Sequence, residues 1–136
     1  VLPQEAHVVG NMRFIHHQPN KESIECISKI AAKYDIETEV LYQDSPCPIV
    51  DFKGKEFTMV EDIIHEIYPG VGTCPYVMTG GTDAKYYSKI SDNCIRFAPL
   101  YIDGQQYSSI HGLNENIYQG ALSKAVDFYK CVIKKC

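Results

Sequence analysis

The sequence has no tryptophan, no CxxC pair, no basic stripe and no run of 18 apolar residues. Each absence removes a class. Without a long apolar run there is no transmembrane helix of ordinary length. Without CxxC a zinc ribbon is excluded. No charged-then-apolar leader is visible, so no signal peptide is read. Val1 in place of Met predicts that residues were removed upstream or that the chain was cut from a longer one. Lys and Arg number 13 against 17 Asp and Glu, a net charge of −4, which argues against nucleic acid as the main partner. The one basic cluster, Lys130, Lys134 and Lys135, falls at the end of a predicted helix, where cations complement the helix dipole. Neither P-loop nor dinucleotide-fingerprint spacing occurs. No Ser/His/Asp or Cys/His pairing has a supporting context.

What is present suits an ordinary globular protein. The 136 residues are 45% hydrophobic and 22% charged. That length fits one domain or two halves of neighbouring domains, with about two-thirds of the unfolded surface buried. The six cysteines, Cys26, Cys47, Cys74, Cys94, Cys131 and Cys136, are widely and irregularly spaced. Cys26 falls inside an amphipathic helix, and Cys131 and Cys136 lie in the last turns of another. Reduced thiols and a cytoplasmic setting follow as the expectation.

The alternation of residues 6–15 predicts a strand, broken by HHQPN. Asn20 can cap a helix starting at Lys21, with Ile24, Ile27, Ala31 and Tyr34 on one face, ending near Asp35. ETEVLY, 37–42, predicts a second strand. SPCPIVDFKGKE then reads as a crossing between units. A capping box is predicted at Thr58–Glu61, opening a helix with Phe57, Val60, Ile63, Ile64 and Ile67 on its face. Pro69 and Gly70 stop it. A short strand at 76–79, a short helix at AKYYSKI, a strand at 94–102 and a polar turn at IHGLNEN follow. The last helix runs from about Ile117 to Lys134. The expected fold class is α/β, a strand–helix–strand unit followed by part of a doubly wound layer.

Two turns can carry chemistry. TGGTDA, 79–84, joins a predicted strand to a helix, and paired glycines let backbone N–H groups approach an anionic ligand. Thr82 could donate to a substrate carboxylate. The plain alternative is a tight turn with Asp83 as helix cap. In His111-Gly-Leu-Asn114-Glu115 an imidazole stands near a carboxylate, as zinc ligands do. The plain alternative is a surface histidine with Asn114 as cap. His7, His16, His17 and His65 lack such surroundings.

The two turns in this order and spacing resemble the dinuclear zinc amidohydrolase family of aminoacylase, carboxypeptidase G, succinyl-diaminopimelate desuccinylase and tripeptidase T. NCIRFAPLYIDGQQYSSIHGLNENI looks most like the carboxypeptidase S and N-acyl-amino-acid hydrolase branch. VLPQEAHVVGNMRF resembles that branch's entry into the second half of the lid, on a strand carrying Arg13. The resemblance implies that residues 1–44 are the second half of a small α/β lid, or dimerisation, domain. Residues 45–136 would then be the C-terminal part of the α/β catalytic domain.

By that match His111 is the last zinc ligand, and Gly81 and Thr82 hold the substrate near the metals. Asp83, Asn114 and Glu115 support from behind, and Arg96 can face a substrate carboxylate. The family's H-x-D segment and its Glu-Glu pair with the general base lie upstream and are not in this sequence. The resemblance therefore implies no catalytic residue within these 136 and at most one weakly bound zinc of the two in the parent. The parent would cleave peptides or N-acyl-amino acids next to a free carboxylate. Lost partner surface predicts a homo-oligomer, with no nucleic-acid or membrane partner. The rival reading is a small binding or self-association module without catalysis, which leaves the coupled turns unexplained.

Overall fold

The structure, a computed structural model, describes residues 2–16, 19–78 and 80–136. Its elements are α1 (Asn20–Ala31, continued by a 3-10 turn at Ala32–Tyr34), α2 (Lys55–Ile67), α3 (Ala84–Tyr87), α4 (Gly104–Ser109) and α5 (Gln119–Lys135). Among the described residues there is no β-strand, and this overturns the α/β fold class expected for both halves. The reason is pairing. A strand exists only through ladder hydrogen bonds to a neighbour. Residues 6–15, 37–42, 76–78 and 94–102 have none; Thr79 lies outside the described residues. Within the last of these, the Leu100 N–H turns back to the Ala98 carbonyl at 2.8 Å. No helix among the described residues is long and apolar enough to cross a membrane.

The chain divides into Val1–Pro46 and Cys47–Cys136. In the first unit α1 begins after Pro19; Asn20 is its first residue and no side chain caps it. Its predicted apolar face is not covered: Ile24 and Ala31 are half-buried, while Ile27 and Tyr34 are exposed. The helix is stopped by Asp35 in the left-handed region at φ 56°. There the Asp35 and Ile36 N–H groups bond to the Ala32 and Ala31 carbonyls, satisfying the orphan end. The Thr38 hydroxyl donates to Ser28 Oγ at 2.8 Å, tying the next segment back to α1.

In the second unit α2 opens earlier than the predicted capping box. Asp51 sets the turn: its carbonyl accepts from Gly54 N–H at 3.1 Å and its carboxylate from Lys53 N–H at 3.0 Å. Thr58 donates to the Gly54 carbonyl instead of capping, and Glu61 Oε1 accepts from the Thr73 hydroxyl at 2.8 Å.

The predicted α2 face does pack. Ile63 and Ile64 are buried with Phe128 of α5, and Met59, Val60, Ile67, Cys131 and Val132 close around them. Such spacing aligns side chains along one helix face. The Phe128 ring also meets Phe97, centroids 5.2 Å apart and tilted 52°. Tyr68, just past α2, is buried; its hydroxyl donates to the Pro99 carbonyl at 2.7 Å, and Lys124 Nζ stands 5.3 Å from its ring centroid. In α5's last turn, Lys134 and Lys135 sit at the dipole's negative end.

That core is small. Much apolar surface stays uncovered within each unit, with Val8 96% and Ile90 84% exposed.

Two outcomes follow. Phe128→Ala should lower the stability of the second unit by about 3 to 5 kcal/mol in urea unfolding followed by circular dichroism; a loss below about 1 kcal/mol would show that this ring is not the core. Burial raises the Tyr68 pKa above its ordinary 10.0. The unfolded chain therefore ionises this phenol first, so its contribution is intact below pH 10 and is lost as pH rises beyond it. Tyr68→Phe should remove that part of the alkaline loss; an unchanged stability–pH slope above pH 10 would contradict it.

Candidate functional site

Each of the two turns has a different internal logic. At Gly80 and Gly81 the fold does not demand glycine. Gly81 has no positive φ. A Cβ at Gly81 would meet nothing within 4 Å, and one at Gly80 only Met78 Sδ at 3.9 Å. The bare backbone therefore matters only to something that approaches from outside this segment. Next to it Thr82 Oγ1 accepts the Ala84 N–H at 3.3 Å, so Thr82 rather than Asp83 satisfies the first turn of α3. Its hydroxyl proton remains free to donate. Asp83 holds α3 through its main chain, its carbonyl accepting from Tyr86 N–H at 2.8 Å.

The second turn is closed on itself. His111 lies in the left-handed region at φ 64°. Its N–H donates to Glu115 Oε2 at 3.0 Å. The Gly112 N–H donates to the Ser109 carbonyl at 2.8 Å, and a Cβ on Gly112 would stand 3.0 Å from that oxygen, so a side chain here is tightly opposed. Asn114 does not cap α5, which starts at Gln119; its carbonyl accepts from Asn116 Nδ2 at 2.8 Å. The left-handed region costs a non-glycine residue about 1 to 2 kcal/mol, and Glu115 supplies the offsetting charge-assisted hydrogen bond.

This turn hangs from α4, which periodicity did not reveal. Asp103 and Gln106 form a reciprocal capping box, Asp103 Oδ1 accepting from Gln106 N–H at 2.8 Å and Gln106 Oε1 from Asp103 N–H at 3.1 Å. Gln106 Nε2 then reaches Asn116 Oδ1 at 3.4 Å. The D-x-x-Q spacing is the legible signal.

Each turn is closed by local bonds, and among the described residues no hydrogen bond joins 80–83 to 111–115. Arg96 is half-buried and forms no ion pair or hydrogen bond with a described residue. Among those residues no three His, Cys, Asp or Glu side chains gather where they could hold a metal ion. His7, His16 and His65 are exposed, His7 lying 3.6 Å from Glu5, and His17 lies outside the described residues. All six cysteines are unpaired.

The backbone at His111 is separable from its ring by comparing two replacements. His111→Gly should be more stable than His111→Ala by about 1 kcal/mol, because only glycine relieves the left-handed strain. Thermal unfolding of the two variants checks it, and equal stabilities would mean that φ at 111 is not held positive in solution.

No family model matches the chain, and no solved structure matches it. Curated relatives do. "Probable carboxypeptidase S-like 2" of Dictyostelium discoideum is 24% identical over 135 residues, covering 98% of this chain and 26% of its own length. The N-fatty-acyl-amino acid synthase/hydrolase of Bos taurus is 31% identical over 131 residues, covering 94% of this chain and 26% of its own length. The Homo sapiens protein of that name is 28% identical over the same span. The chain thus spans about a quarter of the length of the relatives it matches. Almost throughout, it is similar to a quarter-length stretch of the carboxypeptidase S-like and N-fatty-acyl-amino acid synthase/hydrolase proteins, the group that its GGTDA and HGxNE turns resemble.

Proposed function

We propose that these residues are part of a zinc-dependent peptidase or amidohydrolase that cleaves a peptide or N-acyl amide bond beside a free carboxylate. The observation that carries the reading is the closed His111 turn. An exposed non-glycine residue held at φ 64° by its own Glu115 is a local strain of the kind that gathers at functional positions. The residues do not by themselves fit a zinc site. Zinc takes three or four protein ligands, His111 supplies one, and Glu115 Oε2 is engaged with the His111 N–H. In this reading the remaining ligands and the general base belong to the three quarters of the relatives' length that this chain does not span.

Gly81, Thr82 and Arg96 then serve the substrate. Backbone N–H groups, a hydroxyl donor and a guanidinium without a partner among the described residues all suit a carboxylate. Asp83, Asn114 and Glu115 hold the turns. Residues 1–44 belong to the lid and 45–136 to the catalytic part. The uncovered apolar surface suits self-association, the acidic charge disfavours nucleic acid, and the free thiols suit a cytoplasmic setting.

Zinc per chain, by elemental analysis after dialysis, tests the reading. The 136-residue chain should hold well under one ion, with or without His111→Ala. In the full-length protein, the same variant should lose bound zinc and amide hydrolysis together. Full zinc and activity in that variant would remove His111 from the site. Stoichiometric zinc in the short chain, lost with His111→Ala, would mean that it completes a site on its own or by self-association.

A further inference from the structure

We infer that Tyr68 is a positioning residue for the His111 turn; this rests on the reading of that turn as part of a site. The residues from Pro99 to Asn116 carry short-range hydrogen bonds at both ends of the segment, none of them at Tyr101 or Ile102. Leu100 folds back on Ala98, Asp103 and Gln106 cap α4, Gly112 closes onto Ser109, His111 onto Glu115, and Gln106 onto Asn116. All of these bonds are internal to the run or to the residue before it. They fix its shape and not its place.

Its place is set at its N-terminal end. There the buried Tyr68 hydroxyl donates to the Pro99 carbonyl at 2.7 Å, across 31 residues of sequence. The N–H of the same peptide unit, on Leu100, is already turned back to the Ala98 carbonyl, so the Pro99 carbonyl is the group of this unit that Tyr68 anchors. Tyr68 is itself held on two sides, following directly on α2 and carrying Lys124 of α5 5.3 Å from its ring centroid. The phenol therefore refers the run to the α2–α5 pair, and Phe97 against Phe128 at 5.2 Å steadies the residues just before it. Glu61, on the same helix, anchors a different segment through Thr73 at 2.8 Å. That bond is an internal control: comparable chemistry on the same scaffold, leading elsewhere.

Tyr68→Phe keeps the ring and deletes only the donor, and Thr73→Val deletes the control bond. In the 136-residue chain, amide hydrogen exchange and the 1H–15N signals of His111, Gly112 and Glu115 are followed beside those of α2 and α5. Loss of one buried hydrogen bond should raise opening of the 103–116 run about fivefold or more. The His111 and Glu115 signals should shift in Tyr68→Phe, with α2 and α5 protection kept and no such change in Thr73→Val. Three results would overturn the inference: unchanged signals at 111–115 in Tyr68→Phe, a uniform loss of protection across the helices, or the same response in Thr73→Val. None of these readouts needs metal or substrate, so they stand or fall independently of whether His111 binds zinc.

Discussion

The apposition of α2 and α5, Ile63 and Ile64 against Phe128, is the constraint on which the second unit depends. Ile63 is the one side chain wholly withdrawn from solvent among the described residues. Few other groups are buried, so there is little redundancy: each kcal/mol here is a large share of a marginal total. The two segments that lead to the candidate site are fastened to this pair rather than to each other. One is held by Thr73 on Glu61, the other by Tyr68 on Pro99 and by Phe97 on Phe128. The exposed ion pairs, such as Lys130 with Asp127 at 3.2 Å, add little beside that core.

How far the sequence could be read depends on whether an element satisfies its own hydrogen bonds. Helices do so within the segment, and Val60, Ile63, Ile64 and Ile67 marked both the existence and the buried face of α2. Strands do not. The alternation at 6–15 and 94–102 reports which side would be covered if a neighbour lay alongside, and no neighbour is present among the described residues. The same distinction explains α1, whose periodicity is correct and whose face is left uncovered. Boundaries failed for a local reason. Thr58 and Glu61 have capping-box identities, but the Asp51–Gly54 turn starts the helix earlier and leaves both side chains to other partners.

In the candidate site, residue types were legible and conformation was not. GGTDA and HGxNE mark the two turns, and the chain that carries them is similar almost throughout to carboxypeptidase S-like and N-fatty-acyl-amino acid synthase/hydrolase proteins. No pattern announces that His111 sits at φ 64°, since that follows from Glu115 capturing its N–H. Nor does a pattern distinguish the glycines. Gly112 sits close against the Ser109 carbonyl, while Gly80 and Gly81 meet no such contact. Tyr68 could not be found from sequence at all, because its role is a contact 31 residues away.

The surface completes the physical picture. Val8 in the first unit and Ile90 in the second are almost wholly exposed, and at about 25 cal/mol per Å² such apolar surface is burial left unrealised. Among the described residues the Thr82 hydroxyl proton, the Arg96 guanidinium and the His111 imidazole have no hydrogen-bond partner, while the His111, Gly112 and Glu115 N–H groups are taken up within their own turn.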